Sequence, residues 1–149
     1  LPCLNTLSKN LKLACHMFSE HDIQPVFEMI NGTDMPRFLV QNIAQAQEML
    51  EAVQHPALKM QYDCYHMAMM GEDVLQGLQE NIQDIGHIQF ADCPGRHEPD
   101  TAQIMYANIF EWLQHSSYDG FIAAEYRPKT VSTQSFAWKA KYFAAHPQS

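Results

Sequence analysis

Apolar residues follow two alternating rhythms along this chain. In "TLSKNLKLACHMF" the positions Leu7, Leu11, Ala14, Cys15 and Phe18 fall three and four apart, the spacing of one helix face, with Asn5 or Thr6 placed to cap it. The run "QPVFEMI", about 24–30, then reads as a strand. Helical spacing returns at Ile43, Ala46, Leu50 and Val53, opened by Asn42 and stopped by Pro56. A strand about 58–63, a helix around 70–82 with Gly71 near its start, and a strand about 85–90 follow. The loop "DCPGRHEPD" breaks both rhythms with prolines and a glycine. A helix built on Ile104, Ala107, Phe110 and Leu113 precedes a strand at 120–125. A last helix, about 132–143, leads into a tail at 145–149 that is expected to fray.

Strands alternating with helices imply parallel pairing and right-handed crossovers. The strand starts, near 24, 58, 85 and 120, are separated by about 34, 27 and 35 residues. A (β/α)8 barrel of about 250 residues uses roughly 31 per unit. An open doubly wound sheet is the alternative, but no strand here is followed by its Gly-rich phosphate turn. The fold class expected is therefore α/β: about four parallel β/α units of a TIM barrel, preceded by one helix.

Each predicted strand carries an oxygen-bearing side chain near its C-terminal end: Glu28, Asp63, Gln89 and Glu125. Alternate residues of a strand point to opposite faces, so Glu28 shares a face with Val26 and Ile30, while Phe27 and Met29 face the helices. By the same parity Asp63 goes with Gln61, Gln89 with His87, and Glu125 with Ala123 and Phe121. In a barrel these tips converge at the C-terminal mouth, where active sites of this architecture lie. Three carboxylates and an amide oxygen make a hard donor set suited to Mg²⁺ or Mn²⁺. A cation would also keep three like charges ionised at close quarters. A single strand-end carboxylate most often meets only water. Four in register do not suit that account.

Composition narrows the classes. The chain has 149 residues with a formal net charge of −8, which opposes a nucleic-acid backbone as partner. No apolar run approaches the roughly 18 residues of a membrane span, so no membrane partner is expected. Cys3, Cys15, Cys64 and Cys93 contain no C-x-x-C pair and read as reduced thiols of a cytoplasmic protein. The nine methionines, "HMAMM" included, read as core fillers. Leu1 stands first in place of methionine, and the chain is expected to be a piece of something longer.

The segments "FEMIN", "KMQYDCYHM", "GHIQFADCPGRHEPD" and "FIAAEYRPK" resemble, in order and spacing, the hydroxypyruvate isomerases of the xylose-isomerase-like barrels. The resemblance implies the C-terminal half of such a barrel, strands five to eight, over 1–149. It implies Glu28 and Glu125 as the catalytic pair. Glu28, Asp63, Gln89 and Glu125 are the implied ligands of a divalent metal. It further implies His66 and Arg96 as substrate-binding residues, the latter pairing with a carboxylate. His97 and Glu98 are weaker candidates, and Asp34, Arg127 and Lys129 also lie at strand ends, where such residues are commonly just solvated. The implied reaction interconverts hydroxypyruvate and tartronate semialdehyde through a cis-enediol, with a small hydroxy-oxo acid as the only partner besides a possible second copy of the chain.

Two departures keep rivals open. Met29 follows Glu28 where the family usually reads E-P-I-N, and "DTAQ" places Gln103 where an acid is common. Isomerases of four-carbon 2-oxo acids carry similar "RHEPD" loops and are the nearest alternative, with related sugar epimerases beside them. An inactive half-barrel is the alternative of another class. An endonuclease role is the poorest option, given the net charge and the small share of histidine in the predicted site.

Overall fold

The structure is a computed structural model, and it describes residues 2–143; the predicted tail at 145–149 lies outside them. Eleven elements follow one another with the alternation the sequence predicts. Helix α1 (Pro2–Ser19) leads into β1 (Val26–Glu28), α2 (Ile43–Val53) and β2 (Lys59–Asp63). Then come α3 (Cys64–Met69), α4 (Val74–Asn81), a 3₁₀ turn at Ile82–Asp84 and β3 (Ile85–Phe90). Helix α5 (Tyr106–His115), β4 (Ile122–Ala124) and α6 (Ala137–Phe143) complete the order.

The four strands form one parallel sheet in the order β1-β2-β3-β4, with β1 and β4 as its edges. Sequential parallel order is that of a TIM barrel, and the architecture is half of one. Strand lengths reflect position in the sheet. The inner strands β2 and β3 span nearly the predicted residues, whereas the edges shrink to three residues each, because each edge has a partner on one side only. Pairing continues just past β4, where the Glu125 amide donates to the Phe90 carbonyl at 3.1 Å.

Several helix readings differ from the periodicity, α5 among them, which starts at Tyr106 and leaves Ile104 before it. Helix α1 begins at Pro2 rather than after Asn5 or Thr6, and the Thr6 hydroxyl turns back to donate to the Pro2 carbonyl at 3.1 Å. Proline suits a first helical turn because its missing N–H has no intrahelical partner to lose. The helix expected around 70–82 is α4, and a short helix that the periodicity does not predict, α3, precedes it. Asp63 caps α3 by accepting from the Tyr65 amide at 2.8 Å, and Gly71, at φ 78°, turns the chain before Asp73 caps α4. A left-handed φ costs glycine nothing and so ends α3 cleanly. Helix α6 is confined to Ala137–Phe143, with turns occupying the start of its predicted span. Asn42 caps α2 as predicted, accepting from the Gln45 amide at 2.9 Å.

The core lies between the sheet and its helices. Phe27, Met29, Met60, Tyr62, Ile88 and Phe90 point to this side and pack on Ala46, Val53, Leu78, Ile109, Phe110 and Leu113. Five of the nine methionines are exposed or half-exposed, and Met29, Met49, Met60 and Met67 are the ones that fill the interior. The opposite face presents Glu28, Gln61, His87, Gln89, Ala123 and Phe121, the last 84% exposed. Among the described residues, no helix is long and apolar enough to cross a membrane. All four cysteines are free, and Cys15, Cys64 and Cys93 are buried.

Candidate active site

The site is assembled at the C-terminal ends of the strands. In register, Glu28 lies beside Gln61, and Asp63 beside Gln89, which lies beside Ala123. The tips are therefore staggered: Asp63 sits two residues beyond the Glu28 level, and Glu125 two beyond Ala123. Glu28 and Glu125 nonetheless face one cleft of about 590 Å³, which Asp34, Tyr65, His66 and Arg96 also line, while Asp63 and Gln89 are not among its lining residues.

Three residues cluster beside it. Glu28, Asp63 and His66 each bring one ligand atom within 4.8 Å of the others. Asp63 is fully buried, and His66 follows three residues later on α3, where helical geometry returns its ring to the Asp63 side. The Nε2 of His66 lies 3.8 Å from Glu28 Oε1 and 3.7 Å from Asp63 Oδ2. Burial, helped by the nearby Arg96 charge, lowers His66 to about 4, so its ring is neutral at pH 7 and these approaches are not ion pairs.

Arg96 spans the cleft. Its Nη2 donates to Glu125 Oε2 at 2.8 Å and to Asp63 Oδ2 at 3.4 Å, and its guanidinium lies 5.0 Å over the Tyr65 ring. The loop aims it: Arg96 adopts φ 55°, a left-handed conformation that a side chain rarely takes without support. Support comes from the Arg127 amide donating to the Arg96 carbonyl at 2.7 Å and the Asp92 amide donating to the His97 carbonyl at 2.8 Å. Buried Asp92 gathers the rest of the loop, accepting from the amides of Cys93, Thr101, Ala102 and Ile104 at 2.8–3.0 Å.

Two carboxylates here hold protons unusually tightly. Desolvation is the main cause for Glu28, and the Asp63 and Glu125 charges add to it, raising it to about 7 against the pull of Arg96 and Gln61. Asp63 is pushed up to about 6, chiefly by burial, with the Tyr65 amide and Arg96 acting the other way. Clustered, desolvated carboxylates of this kind are short of positive charge, and a divalent cation fits that need. Gln89 Oε1 accepts from Gln61 Nε2 at 2.7 Å and keeps a second lone pair.

Five of the six predicted site residues, Glu28, Asp63, His66, Arg96 and Glu125, are thus brought together, while Gln89 contacts Gln61 and joins neither the cleft lining nor the Glu28–Asp63–His66 cluster. Their grouping differs from the even tetrad of the sequence reading: His66 joins Glu28 and Asp63, while Arg96 draws Glu125 to itself. The weaker candidates hold the loops. His97 Nδ1 lies 2.7 Å from the Arg127 carbonyl, Glu98 accepts from the Lys129 amide at 2.9 Å, and Asp34 Oδ2 accepts from the Tyr65 hydroxyl at 2.8 Å. Asn31, Tyr65 and Asp92 were not singled out from the sequence, although each stands inside a motif that was. Polar residues next to a site attract no notice until burial is known.

The match to a family model for the xylose isomerase-like TIM barrel runs over residues 2–142. The chain belongs to that family. Among curated proteins it is 35% identical over 140 residues to a 2-oxo-tetronate isomerase of Cupriavidus necator, covering 94% of this chain and 54% of the relative. It is 36% identical over 137 residues to the hydroxypyruvate isomerase of Escherichia coli, covering 92% and 53%. Among solved structures, one described as AP endonuclease, family 2, from Brucella melitensis superposes with a TM-score of 0.89 at 28% identity, covering 94% of this chain and 54% of that one. The chain spans about half the length of the curated relatives it matches.

Proposed function

We propose that this chain carries the catalytic half of an isomerase that interconverts hydroxypyruvate and tartronate semialdehyde, and that it corresponds to strands five to eight of the barrel. The observation that carries the reading is the convergence of Glu28, Asp63, His66, Arg96 and Glu125 around one cleft at the strand ends. The reaction removes a proton from C3 and returns one to C2, with a cis-enediol between. It therefore needs a base to take the C3 proton and an acid to return one to C2. Glu28 and Glu125 come from the two edge strands and fill those roles. Glu28, with a pKa near 7, exchanges protons readily at neutral pH. Arg96 suits a substrate carboxylate, which would take the guanidinium from Glu125 and leave that glutamate free to move a proton. His66 faces the same space and offers a hydrogen bond to a substrate oxygen.

A divalent cation such as Mg²⁺ or Mn²⁺, held by Glu28, Asp63, Gln89 and Glu125, would supply Lewis-acid polarisation of the carbonyl. A four-carbon 2-oxo acid is the second reading, favoured by the named activity of the Cupriavidus relative. The test measures exchange of the C3 proton of hydroxypyruvate in D₂O by NMR, with Mg²⁺, Mn²⁺ or EDTA. It uses the 149-residue chain alone and the same chain joined to the N-terminal half of the Escherichia coli enzyme. Exchange that disappears in Glu28→Gln supports the reading. No exchange of the hydroxypyruvate C3 proton in either form would overturn it.

A further inference from the structure

Asn31, at the end of "FEMIN", is fully buried, and its side-chain amide is committed on every side. Its Oδ1 accepts from the backbone amides of Thr33 at 3.1 Å and Asp34 at 2.8 Å. Its Nδ2 donates to Asp34 Oδ2 at 3.0 Å and lies 2.7 Å from His66 Nδ1. These partners fix which end of the amide is which. A flipped amide would set an NH₂ against two N–H donors and an oxygen against a carboxylate, losing three hydrogen bonds.

With Nδ2 facing it, His66 Nδ1 has to accept, and the Asn31 backbone amide aims at the same atom from 3.4 Å. A neutral imidazole that accepts at Nδ1 carries its proton on Nε2. That Nε2–H points into the cleft, where the oxygens of Glu28 and Asp63, at 3.8 and 3.7 Å, stand beyond hydrogen-bond reach. An Nε2 bearing a proton has no lone pair for a cation, so the nearness of His66 to the two carboxylates does not make it a ligand.

We propose that Asn31 is a positioning residue that locks His66 in the Nε2–H tautomer, so that His66 serves the site as a hydrogen-bond donor to a substrate oxygen and not as a metal ligand. The donor role rests on the isomerase reading; the tautomer does not. Asp34 completes the device. Its Oδ2 holds both the Asn31 amide and the Tyr65 hydroxyl, tying the turn after β1 to α3.

The experiment is long-range ¹H–¹⁵N NMR of the histidine rings in the 149-residue chain at neutral pH without metal, with His66 assigned from a His66→Gln spectrum. A protonated, pyrrole-type Nε2 and a bare, pyridine-type Nδ1 are expected. Asn31→Asp keeps the shape and still accepts from Thr33 and Asp34, but it faces Nδ1 with an oxygen. It should move the proton to Nδ1. An Nδ1–H tautomer or a rapid mixture in the parent overturns the proposal, as does an Asn31→Asp spectrum identical to the parent's. The parent spectrum decides alone if Asn31→Asp does not fold. No turnover is read, so a chain that fails to isomerise hydroxypyruvate would sink the proposed function without touching this result.

Discussion

The two faces of one sheet do opposite work. On the helix side, Met60, Tyr62, Ile88 and Phe90 are at most 2% exposed and pack against apolar helix positions. On the other side the same strands present Glu28, Gln61, Gln89 and Ala123, half-exposed, above a cleft of carboxylates and one guanidinium. Since side chains alternate along a strand, neighbouring residues such as Tyr62 and Asp63 serve different ends. Apolar packing is concentrated on one face and titratable groups on the other.

The sharpest way to test that division is to change a carboxylate on the polar face and read turnover. In the chain joined to the N-terminal half of the Escherichia coli enzyme, Glu28→Gln and Glu125→Gln are each expected to lower hydroxypyruvate turnover by about 10²–10⁴-fold, the usual worth of a positioned acid or base. Steady-state rates near the parent's in either variant would make that glutamate structural. On the apolar face the large effect should fall on stability. Phe90 packs against the rings of Tyr106, Phe110 and Trp138, and Phe90→Ala should cost about 3–5 kcal/mol in urea unfolding. A cost under about 1 kcal/mol would show that this face is not the core.

Charge on the polar face should then act against stability when no metal is bound. Glu28 is raised to about 7 from an ordinary 4.5, so the folded chain keeps a proton that the unfolded chain releases. Its contribution is fully present below about 4.5 and is lost as pH rises through 7. Asp63, raised to about 6 from 3.8, behaves alike over its own lower window. His66, lowered to about 4 from 6.5, has the opposite sign: its contribution is present above 6.5 and lost as pH falls through 4. Glu28→Gln should therefore melt above the parent at pH 8 in EDTA, by a margin that shrinks towards pH 5. A margin that grows towards pH 5 would reverse the sign assigned to Glu28. Mg²⁺ or Mn²⁺ should raise the parent's melting temperature at pH 8, and Asp63→Ala should abolish most of that rise. Equal parent melts in metal and EDTA would remove the cation from the site.

The smallest effect on folding is expected at Phe121, 84% exposed on the polar face. Phe121→Ser should change unfolding by less than about 0.5 kcal/mol. It should lower any self-association seen by sedimentation, since a bare aromatic at the edge strand invites a second copy or another chain. A large loss of stability instead would mean that Phe121 is covered within one chain.

Residue pattern alone determined a good deal here. Strand alternation and the spacing of apolar positions named four parallel β/α units, and parity placed Glu28, Asp63, Gln89 and Glu125 on one face, because side-chain direction in a strand is a local property. Capping by Asn42 was legible for the same reason. Tertiary structure decided what depends on neighbours distant in sequence. Edge strands came out short because pairing partners set their ends, and α3 was added ahead of the helix expected around 70–82 because Asp63, at the tip of its own strand, caps it. The tetrad became a Glu28–Asp63–His66 cluster beside an Arg96–Glu125 pair because parallel register staggers the strand tips and α3 returns His66 to them. Asn31 could be seen in the sequence only as the last letter of a motif, since its hydrogen-bond partner His66 lies 35 positions away and only folding brings the two together.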